Sequence, residues 1–143
     1  MIYQAYDIAP YHSKVVIGVA KDRAKIVDKL NKDYVGVDLE WDGSAYATTT
    51  SRNYLPSGKM IKFYGIKTNR KALHHVFVIL PNDAPASVIA HEGIHVANFI
   101  FRNVGAKPDL DNDEPMAYLL GDIVSAIDDT IKEYKKLKPH QKK

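Results

Sequence analysis

The hydrophobic pattern of this chain changes period at Leu80, and that change restricts the fold more than any other feature. Before it lie short runs rich in β-branched and aromatic residues, which read as strands: Ile2–Ile8, Lys14–Val19, Tyr34–Leu39, the Thr-rich Ala45–Ser51, Met60–Ile66 and the near-continuous apolar His75–Leu80. Turn residues at Asp42–Gly43 and Pro56–Gly58 bracket the Thr-rich run. One amphipathic helix interrupts the series, Asp22–Asn31, with Ala24, Ile26, Val27 and Leu30 at helical spacing. After Leu80 the period is helical. Pro81-Asn82-Asp83 offers a cap and Pro85 suits a first turn; the helix runs to about Asn103, where Gly105 and Pro108 stop it. An acidic loop, Asp109–Asp113, leads into a second long helix from near Asp113–Pro115 to about Leu137. Strands first and helices afterwards predict an α+β fold, a small twisted sheet (antiparallel or mixed) packed on two long helices.

A length of 143 residues suits one domain, 1–137, followed by a short basic tail, 138–143. The absence of cysteine excludes disulfides, thiolate zinc sites, iron–sulfur clusters and a cysteine nucleophile, so any metal must be held by His, Asp or Glu. No apolar run reaches the ~18 residues of a membrane span, and the N-terminal stretch lacks the pattern of a secretion signal. A cytoplasmic, membrane-free protein is expected. The net charge of +3 is misleading, because the last twelve residues hold six lysines and one glutamate, +5, leaving −2 for the rest. Lysines at a helix C-terminus favour the negative end of its dipole, and Pro139 ends the helix. Without an aromatic or arginine-rich patch beside them in the sequence, they read first as a solvated helix end, with docking on nucleic acid through this tail as the weaker alternative.

The first long helix carries His91-Glu92-Gly93-Ile94-His95, an HExxH motif. Residues four apart share a helix face, so His91 and His95 can present ring nitrogens to one zinc ion. Glu92 projects about 100° away, suited to act as a base on water beside the metal. On a helical wheel Ser87, His91, His95, Asn98 and Arg102 form the one polar stripe of an otherwise apolar helix, which predicts a buried helix whose histidines need partners. Two core histidines satisfied by carbonyls or water fit the same pattern.

A catalytic zinc needs a third protein ligand. The extended metzincin pattern requires Gly at 98 and His at 101, where Asn98 and Phe101 stand, so that arrangement is excluded. The next candidate is Glu114, eighteen residues beyond His95, in Asp113-Glu114-Pro115-Met116-Ala117-Tyr118-Leu119-Leu120-Gly121-Asp122. This layout resembles the gluzincins, zinc peptidases with HExxH on one helix and a glutamate ligand on the next. With its small size it also resembles minimal zincin-like proteins encoded by bacteriophages. The resemblance covers residues 83–125 and implies Zn2+ held by His91, His95 and Glu114, with Glu92 as general base. A peptide or protein is the implied substrate, and a host or phage protein a partner.

On the second helix Glu114, Tyr118, Gly121 and Ser125 share a stripe about 60° wide, opposite an apolar face of Met116, Leu119, Leu120, Ile123 and Ile127. Tyr118 suits a hydrogen bond to a ligand or to the substrate's oxyanion, or equally an aromatic core position with its hydroxyl at the rim. Gly121 suits a close approach of the two helices. Asp113 and Asp122 are either partners of a ligand imidazole or, respectively, a helix cap and a solvated side chain. His12, His74 and His75 lie upstream, the last two as ordinary strand residues beside a substrate-binding edge. The expected activity is zinc-dependent peptide hydrolysis. The rival is a non-enzymatic protein-binding module on the same scaffold, with zinc structural or absent.

Overall fold

The computed structural model describes residues 1–8, 11–34, 37–41, 43, 47–54 and 73–143. Among these the chain forms β1 (Ile2–Ile8), β2 (Ser13–Ala20), α1 (Arg23–Asp33), β3 (Thr48–Tyr54), β4 (Leu73–Pro81), α2 (Ala86–Asn103), α3 (Glu114–Lys136) and a 3-10 turn, Pro139–Gln141. The strands make one mixed sheet in the order β1-β2-β4-β3. β1 is antiparallel to β2, β2 parallel to β4, and β4 antiparallel to β3. This is the α+β class that the change of period predicts, with α2 and α3 as the two long helices.

The parallel pair β2–β4 forms the middle of the sheet and is buried on both faces, which is why both strands are apolar nearly without interruption. Val15, Ile17, Val19, Val76, Val78 and Leu80 point to one side, onto α2 and α3. Val16, Ala20, Phe77 and Ile79 point to the other, onto Ile26, Val27 and Leu30 of α1. Gly18 lets α1 lie close: a Cβ there would stand 2.9 Å from Ile26 Cγ1 and 3.1 Å from Ile79 Cδ1. Asp22 caps α1 by accepting from the Ala24 N–H at 3.1 Å. α2 ends on Gly105 in the left-handed region (φ 74°), where the Ala106 N–H donates to Phe101 O and the Gly105 N–H to Arg102 O.

Two expectations need correction. The run Tyr34–Leu39 is not a strand where it is described: Tyr34 is the C-cap of α1 and Val37–Leu39 lie outside regular structure. Its apolar alternation comes from burial of Val37 and Leu39 against the α1-side core. The side-chain amide of Asn31 takes the place of a strand partner, accepting from the Leu39 N–H at 2.7 Å and donating to its carbonyl at 2.9 Å. β4 is also an interior strand, so among the described strands the edge beside α2 belongs to β3 (Thr48–Tyr54), which takes up the Thr-rich run from Thr48. Ala45, Met60–Ile66 and Pro56–Gly58 fall outside the described residues. Among the described residues no helix is long and apolar enough to cross a membrane.

Because Ile26 and Ile79 are buried and cannot retreat, Gly18→Val is expected to destabilise the fold by about 1–3 kcal/mol through overpacking. Urea denaturation of the two proteins measures this directly.

Candidate functional site

Helix α2 buries Glu92, Gly93, Val96, Ala97, Ile100 and Phe101. Its polar stripe is on the outside: Ser87, His91, His95 and Arg102 are exposed and Asn98 is half-buried. The helix is therefore not buried all round, and its histidines face solvent. The wheel identified the stripe correctly, but half-buried Val88, Ile89 and Phe99 flank it and made the helix look more enclosed than it is. The two imidazoles meet edge to face, with ring centroids 4.8 Å apart and Nε2 atoms 3.2 Å apart. That separation has a direct chemical meaning. It is a hydrogen-bond distance between the two rings; two nitrogens bound to one tetrahedral zinc at 2.0–2.1 Å would stand slightly further apart, at about 3.3–3.4 Å.

Glu92 is the buried acid of the site, only 6% exposed. Its Oε2 accepts a hydrogen bond from Thr49 Oγ1 of β3. Its Oε1 is 4.0 Å from His91 Nε2. A carboxylate is tolerated in a mostly apolar interface only when its oxygens are partnered, and Thr49 supplies one partner. Thr49 is the residue that the sequence did not single out. Nothing in a run of three threonines marks which hydroxyl points at α2; register does, by pairing Thr49 with Val78, whose side chain lies on the α2 face.

Glu114 does not join the histidines. Among the described residues no three His, Asp or Glu side chains are grouped closely enough to hold a metal ion. Packing gives the reason. A Cβ on Gly93, between the two histidines, would stand 3.1 Å from Leu120 Cδ1, 3.5 Å from Val124 Cγ2 and 3.9 Å from Ile123 Cγ2. α3 thus meets α2 six to ten residues beyond Glu114, about 9–15 Å along the helix axis. Glu114 and Ser125 are exposed, as is Tyr118 at 73%. Gly121 has open space around it, and Gly93 is the glycine of close approach. Asp113 occupies the N-cap position of α3 without a side-chain capping bond, and Asp122 is exposed.

His74 and His75 lie back to back in β4. His75 packs on the α1 side against Tyr34 and Phe77. His74 shares a 2.9 Å hydrogen bond with Ser13 Oγ, and burial, with a smaller contribution from neighbouring His75, pushes its imidazole down to about 4. Above the ordinary value of 6.5 the ring is neutral in folded and unfolded chains alike, and its contribution to stability is complete. Below it the unfolded chain takes up a proton first, and stability falls by about 1.4 kcal/mol per pH unit until about pH 4. Between pH 7.5 and 5, wild type is expected to lose about 2 kcal/mol more stability than His74→Gln, read from denaturant titrations at the two pH values.

Compared with family models, with curated proteins and with solved structures, the chain finds no match.

Proposed function

We propose that the chain is a zinc-dependent hydrolase acting on peptides or proteins, with His91 and His95 as metal ligands and Glu92 as general base. The observation that carries the reading is the meeting of the two imidazoles on the exposed face of α2, with Nε2 atoms 3.2 Å apart in a ring-to-ring hydrogen bond, close to the ~3.3–3.4 Å between two nitrogens on one tetrahedral zinc. The chemistry that a bound zinc ion supplies is polarisation of a carbonyl and acidification of water. Glu92 takes the proton. Thr49 holds Oε2, which fixes the carboxylate and leaves Oε1 on the His91 side as the proton acceptor. Thr49 is thus a positioning residue. It stands on β3, the edge of the described sheet, so an extended peptide pairing with that edge would run beside Glu92. By motif alone Glu114 would be the third ligand, although it stands apart from the histidines, and Tyr118 would be the oxyanion donor. A cytoplasmic location and a host or phage protein as target belong to the same proposal.

One observation favours the second reading, a protein-binding module without catalysis. Glu114 and Tyr118 are exposed, and Glu114 lies more than one turn of α3 from the contact with Gly93. The two readings separate experimentally. Tag-free wild type is expected to bind about one zinc per chain, and His95→Ala to lose it. Glu114→Ala losing zinc equally would assign the third ligand. Glu92→Gln is expected to keep zinc and lower peptide hydrolysis in a library assay by about 10²-fold or more. Zinc binding with no hydrolysis by wild type would favour the binding module, and folded wild type that refuses zinc would overturn both metal-based forms.

A further inference from the structure

β2 and β4 end together, Ala20 opposite Pro81, and the chain then leaves in opposite directions, to α1 on one face of the sheet and to α2 on the other. Divergent exits at the carboxyl ends of neighbouring parallel strands open a crevice between the connections, and such switch points are where ligands bind in sheets of this kind. Here the crevice is real: a cavity of about 760 Å³ bounded by the β2–α1 junction, Asn82 after β4 and the end of α3 with the residues that follow it. That is within the size range of small-ligand sites.

Its lining is strongly cationic. Lys21, Arg23, Lys25, Lys135, Lys142 and Lys143 contribute six positive charges against one acid, Asp22. Asp22 is engaged at its own helix, accepting from the Ala24 N–H. Among the described residues none of the five lysines enters an ion pair. The positive end of the α1 dipole adds to the field, because the first turn of that helix is part of the wall. Such a surface selects a multiply charged anion.

The rest of the wall is Asn82, Pro139 and two aromatic residues, Trp41 and Tyr134. Trp41 is half-buried, with the Arg23 guanidinium 5.4 Å from its ring centroid. Tyr134 is part of the lining too, its hydroxyl donating to the Lys142 carbonyl and the Lys142 ammonium 5.8 Å from its ring, so the basic tail folds back onto the cavity. The aromatic and guanidinium groups that the lysine tail lacks in the sequence are brought to it by the fold. Lysines alone would suit any acidic surface, whereas an indole beside them favours an anion that carries a planar ring. We propose that this cleft binds a nucleotide, with its phosphates among Lys21, Lys25 and Lys142 and its base at the Trp41 wall. The nucleotide is either free or a unit of a single strand.

Trp41 is the sole tryptophan of the chain and reports on occupancy. The full chain is titrated with adenosine triphosphate, with inorganic tripolyphosphate and with an oligothymidylate, followed by tryptophan emission and by calorimetry. The nucleotide or the oligonucleotide is expected to bind at least ten-fold more tightly than tripolyphosphate, and the tighter of the two identifies the free or the strand form. Lys21→Ala with Lys25→Ala, both exposed positions, is expected to weaken that binding ten-fold or more, and His95→Ala to leave it unchanged. Tripolyphosphate binding as tightly as both, a double variant with wild-type affinity, or no saturable binding of nucleotide or oligonucleotide would overturn the proposal.

Discussion

The parallel pairing of β2 with β4 is the constraint on which the rest of the molecule depends. Two strands buried on both faces need cover on both, and the chain meets that need by sending α1 to one side and α2 with α3 to the other. The same pairing fixes which residues of the neighbouring strands see which helix. Thr49 reaches Glu92 because β3 joins β4 in a register that sets Thr49 opposite Val78. His74 is pushed toward the neutral form because its place in β4, opposite Ser13, buries it in the interior of the sheet. The cationic cleft exists because β2 and β4 stop together and their connections part.

Within this frame α2 is divided by function. Its buried side, Gly93, Val96, Ala97, Ile100 and Phe101, is ordinary packing against sheet and α3. Its exposed side carries the two imidazoles, spaced one turn apart and within hydrogen-bond distance of each other. Glu92 lies between the two regimes, buried like the core yet hydrogen-bonded like a site residue. A carboxylate in that position lowers stability unless something else uses it, which is why the proposed role as base and the observed contact with Thr49 belong together.

Much of this was legible in the sequence, for identifiable reasons. The ends of β1, α2 and α3 follow from period, proline and glycine, and the histidine stripe follows from a 100° step per residue. What was not legible depends on contacts between distant segments. The alternation at Val37–Leu39 looks like a strand because burial produces it, while the backbone partner is an Asn31 side chain. Gly121 and Gly93 look alike in a helical pattern, and only the packing of Leu120 and Val124 tells them apart. The eighteen residues between His95 and Glu114 suffice to return the chain, but the level at which α3 meets α2 is set by its apolar face, not by loop length. Arg23 and Trp41 lie over 90 residues from the terminal lysines and meet them only because the sheet brings these segments to one end.

The proposed function rests on His91 and His95 acting as one metal-binding pair. It is tested most directly by following the imidazole ¹⁵N resonances of uniformly labelled protein during a zinc titration. The Nε2 signals of both residues are expected to shift together, complete near one equivalent of zinc, while the ring signals of His74 and His75 stay in place. Zinc that leaves both Nε2 signals unmoved, or that shifts His12 or His140 instead, would contradict it.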